Sequence, residues 1–151
     1  MRTHAVFAAA MLISGPVFAS GGLSCTADDD AVKLDIQSGV TRGMGSPLFN
    51  FQGRVQLSDA SVPTDLKNTE FSDDHVAQYW LDDQRLNLGL YREREGDKPH
   101  GYVEIVVVTQ PGDDEGLYGG QYHLTVFDAT DNASSDGKTL KFDGTVSCFV
   151  E

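Results

Sequence analysis

The sequence predicts an all-β domain, a single antiparallel β-sandwich or small β-barrel of seven or eight strands, on three observations. Apolar and polar residues alternate in short runs, as in strands with one buried face. Turn-forming Gly, Asp, Pro and Ser residues separate the runs at the spacing of a sandwich or barrel. After residue 19 no stretch carries a convincing 3.6-residue apolar period.

Leu23-Ser24-Cys25 reads as a short first strand, and Val32, Leu34 and Ile36 alternate with Lys33 and Asp35 in the next. Phe49, Phe51, Val55 and Leu57 share one parity, with Gly53 at the place of a possible bulge. The best helical candidate is a turn or two over Val62 to Phe71, where Pro63 suits a first helical position. Val76 to Leu81 is apolar at nearly every position, Asp82-Asp83-Gln84 reads as a turn, and Leu86, Leu88 and Leu90 resume alternation. After the turn-rich Glu95 to Gly101, residues Val103, Ile105, Val106, Val107 and Val108 suggest a central strand covered on both faces. Pro111 to Gly116 breaks it, and Tyr122, Leu124 and Val126 form another alternating set. A polar loop follows at Asp131 to Gly137, before Leu140, Phe142, Val146, Cys148 and Val150 share one parity in the last strand. Trp80 is expected to fill the core, which sends Tyr79 and Leu81 to the other face, under the Ser58–Asp74 connection.

The first 19 residues have another role. Arg2 and His4 make a basic start, Ala5 to Ile13 is an apolar run, and Pro16-Val17-Phe18-Ala19 ends on small residues. That is the layout of a secretory signal, with cleavage expected between Ala19 and Ser20. Nine apolar residues fall well short of the ~20 needed to span a bilayer, and no later segment approaches that length. The expectation is a signal over residues 1–19 and one domain over residues 20–151, in a bacterial periplasm or secreted. In an oxidising compartment, the only two cysteines, Cys25 and Cys148, are expected to pair as a structural disulfide between the first and last strands.

Loss of residues 1–19 leaves 10 Lys and Arg against 23 Asp and Glu, a formal charge of −13. That charge disfavours nucleic acid, which is held by cationic contacts to phosphate, and anionic membrane surfaces. A basic partner or a cation is electrostatically easier.

Chemistry leaves little trace in the sequence. His75, His100 and His123 are far apart and show no zinc-ligand spacing, and neither a Cys-x-x-Cys pair nor a G-x-S-x-G elbow occurs. Ser46, in Gly45-Ser46-Pro47, reads as a turn serine. Three acidic loops offer hard oxygen ligands for calcium: Asp28-Asp29-Asp30, Asp113-Asp114-Glu115, and Asp128 with Asp131, Asn132 and Asp136. None has the ligand spacing of a calcium-binding helix–loop–helix, and solvated turns are the expected reading. Asn132-Ala133-Ser134 matches a glycosylation sequon, which in a bacterial exported protein is taken as accidental. No catalytic, cofactor-binding or metal-ligating residue is therefore assigned. Tyr79, Trp80, Tyr91 and Tyr118 are the side chains that could anchor a sugar or a protein if exposed.

Leu23-Ser24-Cys25-Thr26-Ala27 near the start and Gly144-Thr145-Val146-Ser147-Cys148 near the end resemble small exported bacterial β-domains of unknown function. The resemblance implies a compact β fold and carries no active-site residues. Periplasmic lysozyme inhibitors are similar in compartment, architecture and cysteine economy, but their inhibitory Ser/Gly-rich turn followed by Lys-Tyr is absent here. The expected function is non-catalytic binding or structural support in the envelope, with a protein or an envelope polymer as partner. The alternatives are an inhibitor of a basic periplasmic enzyme such as a lysozyme, and a carboxylate-dependent or calcium-assisted hydrolase.

Overall fold

A computed structural model describes residues 20–41, 48–82, 84–130 and 136–151. The expected signal segment, Ser46, Asp83, Asp131 and the Asn132 sequon lie outside the described residues. Among the described residues nine antiparallel strands form one sheet: β1 (Ser20–Asp28), β2 (Val32–Thr41), β3 (Leu48–Leu57), β4 (Asn68–Phe71), β5 (Val76–Asp82), β6 (Arg85–Glu93), β7 (Gly101–Pro111), β8 (Leu117–Asp128) and β9 (Lys138–Val150). Their order is β4-β3-β2-β1-β9-β8-β7-β6-β5. Two meanders, β1 to β4 and β5 to β9, are thus joined edge to edge through β1 and β9. The sheet curls until its two edges nearly meet, and across the seam the Arg92 guanidinium donates to the Glu70 carbonyl. The molecule is all-β, a nearly closed barrel.

Alternation places the apolar parity of each strand inside. Val32, Leu34 and Ile36 of β2, Leu86, Leu88 and Leu90 of β6, Val103, Ile105 and Val107 of β7, and Leu124 and Val126 of β8 are buried in one core. The opposite parity is largely polar, as with Lys33, Asp35 and Gln37 on β2. A barrel in a bilayer has the reverse arrangement, with an apolar band outside. Among the described residues no helix is long and apolar enough to cross a membrane.

Cys25 and Cys148 are register partners of β1 and β9 and form a disulfide. The β1–β9 ladder has only four register pairs, Leu23 to Thr26 against Val150 to Ser147. The β8–β9 ladder has twelve, from Leu117 to Asp128. The covalent link therefore sits where the two meanders are joined by the fewest pairs.

Several expectations are corrected. Nine strands replace seven or eight because β4 forms inside the segment read as helical. There, Pro63 starts only a single turn, accepting from the Leu66 amide at 2.9 Å, and Asn68 to Gln56 pairing then makes a strand. Phe49 is out of phase with Phe51, because Asn50 adopts φ 52° beside a register shift between Gln37 and Gly39. The bulge expected at Gly53 is thus displaced toward the start of β3. The freed Phe49 ring covers Gly39, where an added Cβ would lie 2.2 Å from ring carbon. Val106 and Val108 are exposed, so β7 is covered on one face only. Trp80 lies on the outer face at 56% exposure, while Tyr79 and Leu81 pack against the core.

The barrel end opposite Ser20 and Glu151 is closed by side chains from loops. Val62 and Leu66, from the connection between β3 and β4, are buried there. Beside them the Arg94 side chain, 3% exposed, donates to Asp65 (Nε–Oδ2, 2.7 Å), Asp128 (Nη1–Oδ1, 2.9 Å) and the Pro99 carbonyl (2.8 Å). Tyr122, fully buried, donates its hydroxyl to Asp29 Oδ2 at 2.5 Å and anchors the β1–β2 turn to β8.

Candidate functional site

The residues on the outside of β5 to β8 follow from the register. One row across the sheet is Trp80, Asn87, Val108 and Gln121. The next is Gln78, Gly89, Val106 and His123, the last opposite Asp143 of β9. Rows two residues apart along a strand lie roughly 7 Å apart. Two rows further on, Tyr102 and Phe127 stack at 5.5 Å between centroids, with Tyr91 5.2 Å from Tyr102 and His100 within 5.8 Å of both stacked rings. A strip of aromatic and aliphatic surface therefore runs diagonally across the outside of the barrel.

Its exposed end is the Trp80 region. Trp80 is 56%, Val106 37% and Val108 46% exposed. Water-facing β-branched residues on a central strand, beside an exposed indole, form an apolar patch that the fold itself does not use. The indole is held by its polar edge. Trp80 Nε1 donates to Asp82 Oδ2 at 2.7 Å, and the Arg85 guanidinium stands 5.7 Å from the ring centroid and 3.6 Å from Asp82. The Trp80 N–H foremost, then the Gln84 amide, with Arg85 beside them, holds the Asp82 carboxyl below the usual carboxylate range. The hairpin that closes β5 and β6 thus orients the ring.

Beside the ring is an open cleft of about 660 Å³ walled by Gln78, Trp80, Arg85, Asn87, Gly89 and Val106. Gly89 keeps its floor low: apart from Gln78 atoms at 3.4 Å or more, nothing stands where a side chain would project. Asn87 Oδ1 is buried there and has no hydrogen-bond partner among the described residues. A buried acceptor left unpaired costs about 1–3 kcal/mol. Behind β5, on the inner side, the Tyr79 hydroxyl is likewise buried and unpartnered among the described residues, and burial chiefly, with Tyr118 adding, pushes it up to about 12.

The residues singled out in the sequence divide cleanly. Trp80 and Tyr91 share the outer strip. Tyr79 and Tyr118 belong to the interior side, with the Tyr118 hydroxyl donating to the Asp82 carbonyl at 3.2 Å. The three histidines stay apart: His75 Nδ1 accepts from the Ser72 amide at 2.9 Å, His100 joins the aromatic stack, and exposed His123 pairs with Asp143. Among the described residues, no group of three or more His, Cys, Asp or Glu converges. Asp29 is spent on Tyr122 and on the Ala31 and Val32 amides, and Asp128 on Arg94 and Thr130.

Sequence reading missed the Asp65–Arg94–Asp128 network, because its members come from two loops and the end of β8 and nothing local marks Arg94 as buried. The exposed valines left a signal: five β-branched residues in six positions of one strand, an apolar excess beyond what a one-sided strand needs. Two further hollows carry charged side chains. One, over β1 to β4, is lined by Leu34 and Phe71 as well as Asp35, Gln37, Arg54 and Glu70; the other, at the seam and more polar, by Arg54, Asp65, Glu70, Arg92 and Glu95. Glu70 pairs with Arg54 at 2.8 Å and Glu95 with Arg92 at 2.7 Å, while Asp35 accepts from the Gln37 side-chain amide at 3.3 Å. No protein-family model, no curated protein and no solved structure matches this chain.

Proposed function

We propose that this protein is an exported, non-catalytic binding module that takes its ligand on the outer face of β5 to β8. The observation that carries the reading is the Trp80, Val106 and Val108 patch, exposed on a barrel whose interior is already filled by its own side chains. Monomeric domains seldom leave an indole and aligned valines in water without a use for them. Export is supported by the signal-like residues 1–19 and by a disulfide, which persists in oxidising compartments. The non-catalytic part rests on the acids. Among the described residues the carboxyls displaced from their ordinary acidity, Asp29, Asp59, Asp65, Asp82 and Asp128, all move downward. A general acid for glycoside or ester hydrolysis needs the opposite displacement.

A photo-crosslinking residue placed at Val108 in the producing cell tests the proposal. A specific adduct is expected from Val108 and none from Gln56, which faces outward on β3. Equal labelling from both positions, or no adduct from Val108, overturns it.

A further inference from the structure

We infer that the ligand of the Trp80 cleft is a neutral saccharide, an inference that rests on the binding-module reading above. The cleft has the two surfaces a sugar ring requires. A pyranose shows an apolar C–H face, which suits the electron-rich face of an indole, and a rim of hydroxyls that donate and accept hydrogen bonds. Here the indole is flanked by Gln78, Asn87 and Arg85 within one cleft. Apolar walls with a few placed polar groups, in a volume of 300–1,000 Å³, are the general character of small-ligand sites, and about 660 Å³ falls within that range.

The partner class follows from three details. Asn87 lines the cleft, and its Oδ1, shielded from water and unpartnered among the described residues, would gain a donor once a ligand turns the amide outward. A ligand hydroxyl supplies one, and an aliphatic side chain does not. The exposed apolar residues stand in rows with amides, Trp80 beside Asn87 and Val106 beside Gln78 and Gly89, rather than as a continuous apolar core. Protein interfaces concentrate their energy in such a continuous, fully desolvated centre. Charge removes the acidic saccharides: a domain with 10 Lys and Arg against 23 Asp and Glu repels uronates and phosphorylated glycans.

Trp80 is the only tryptophan of the chain, so its fluorescence reports directly on the cleft. The oxidised protein, without residues 1–19, is titrated with neutral oligosaccharides of glucose, galactose, mannose, xylose and N-acetylglucosamine, and with polygalacturonate as the acidic control. A saturable shift with at least one neutral sugar and none with polygalacturonate is expected. Asn87→Ala, which keeps the fluorophore, is expected to weaken that sugar about tenfold, and calorimetry should show a loss of about tenfold or more for Trp80→Ala. Both side chains lie on the outer face, so unchanged melting of the variants checks that the fold is intact. Tighter binding of polygalacturonate than of any neutral sugar overturns the inference, as does unaltered sugar affinity in both variants. If no sugar binds while Val108 still crosslinks a protein, the saccharide falls and the binding face stands. If Val108 crosslinks nothing as well, both fall.

Discussion

Reduction of the Cys25–Cys148 disulfide should be the most damaging single perturbation of this fold. The bridged residues are 123 apart in sequence, so the bond closes almost the whole domain into one loop. In the chain-entropy model a loop of that length is worth about 5 kcal/mol. Typical domains are stable by ~5–15 kcal/mol in all, so the bond accounts for a large share of the whole. The sheet makes the loss local as well as global. Without the bond, four register pairs between β1 and β9 hold the two meanders together, against twelve between β8 and β9. Urea unfolding of the same protein with and without a reductant measures the difference, and the melting temperature should drop by about 10–20 °C. Hydrogen exchange in the reduced protein should quicken first at Leu23 to Thr26 and Ser147 to Val150, before the β6–β7–β8 centre. A loss below about 1 kcal/mol would refute the reasoning. So would uniform acceleration across the sheet, because opening would then not begin at the β1–β9 junction.

Arg94→Met should cost about 3 kcal/mol, the scale of breaking a buried ion pair, because Asp128 is left 11% exposed without its guanidinium. A loss under about 1 kcal/mol in urea unfolding would place the network with ordinary surface pairs. Gly144→Ala should cost about 1–3 kcal/mol by overpacking, since the new Cβ would lie 2.5 Å from the Tyr122 ring and 2.6 Å from Asp29 Oδ2. Wild-type stability there would show that the β1–β2 turn yields freely. Acid should destabilise the protein through Asp29, Asp65 and Asp128, each with its acidity held below the usual range. At Asp29 the Tyr122 hydroxyl is the chief cause; at Asp65 and Asp128 burial pulls the other way and is outweighed, by Arg94 with a backbone amide and by Thr130 with Arg94. A depressed folded-state value means stability that is full above the unfolded carboxylate value near ~3.9 and lost as pH falls through the lower folded values. Urea midpoints from neutral pH down to about pH 2 should therefore fall less steeply for Asp29→Asn than for the wild type; identical slopes would count against the assignment.

The sequence by itself determined the class of fold, the pairing of the cysteines and which parity of most strands is buried. Those properties are local: period-two alternation survives any choice of neighbour, and the two thiols of one chain have only each other as a partner within it. Only the tertiary structure decided what the alternation leaves ambiguous. In Val76 to Leu81 nearly every side chain is apolar, so the phase of the strand could not be read, and β5 turned out to half-bury Tyr79 and Leu81 against the core and to expose Trp80. The run Val103 to Val108 posed the same question about its second face. The answer depended on whether another layer packs against the outside of the barrel, and none does among the described residues. Arg94 lies beyond any local signal, since its burial requires two loops and the end of β8 to meet at one end of a nearly closed sheet. Phe49 was misjudged for a smaller reason: one residue, Asn50, at positive φ shifts the phase of everything before it. Alternation is a property of the chain, but which side of it meets water belongs to the assembled sheet, and the binding face proposed here lies on that side.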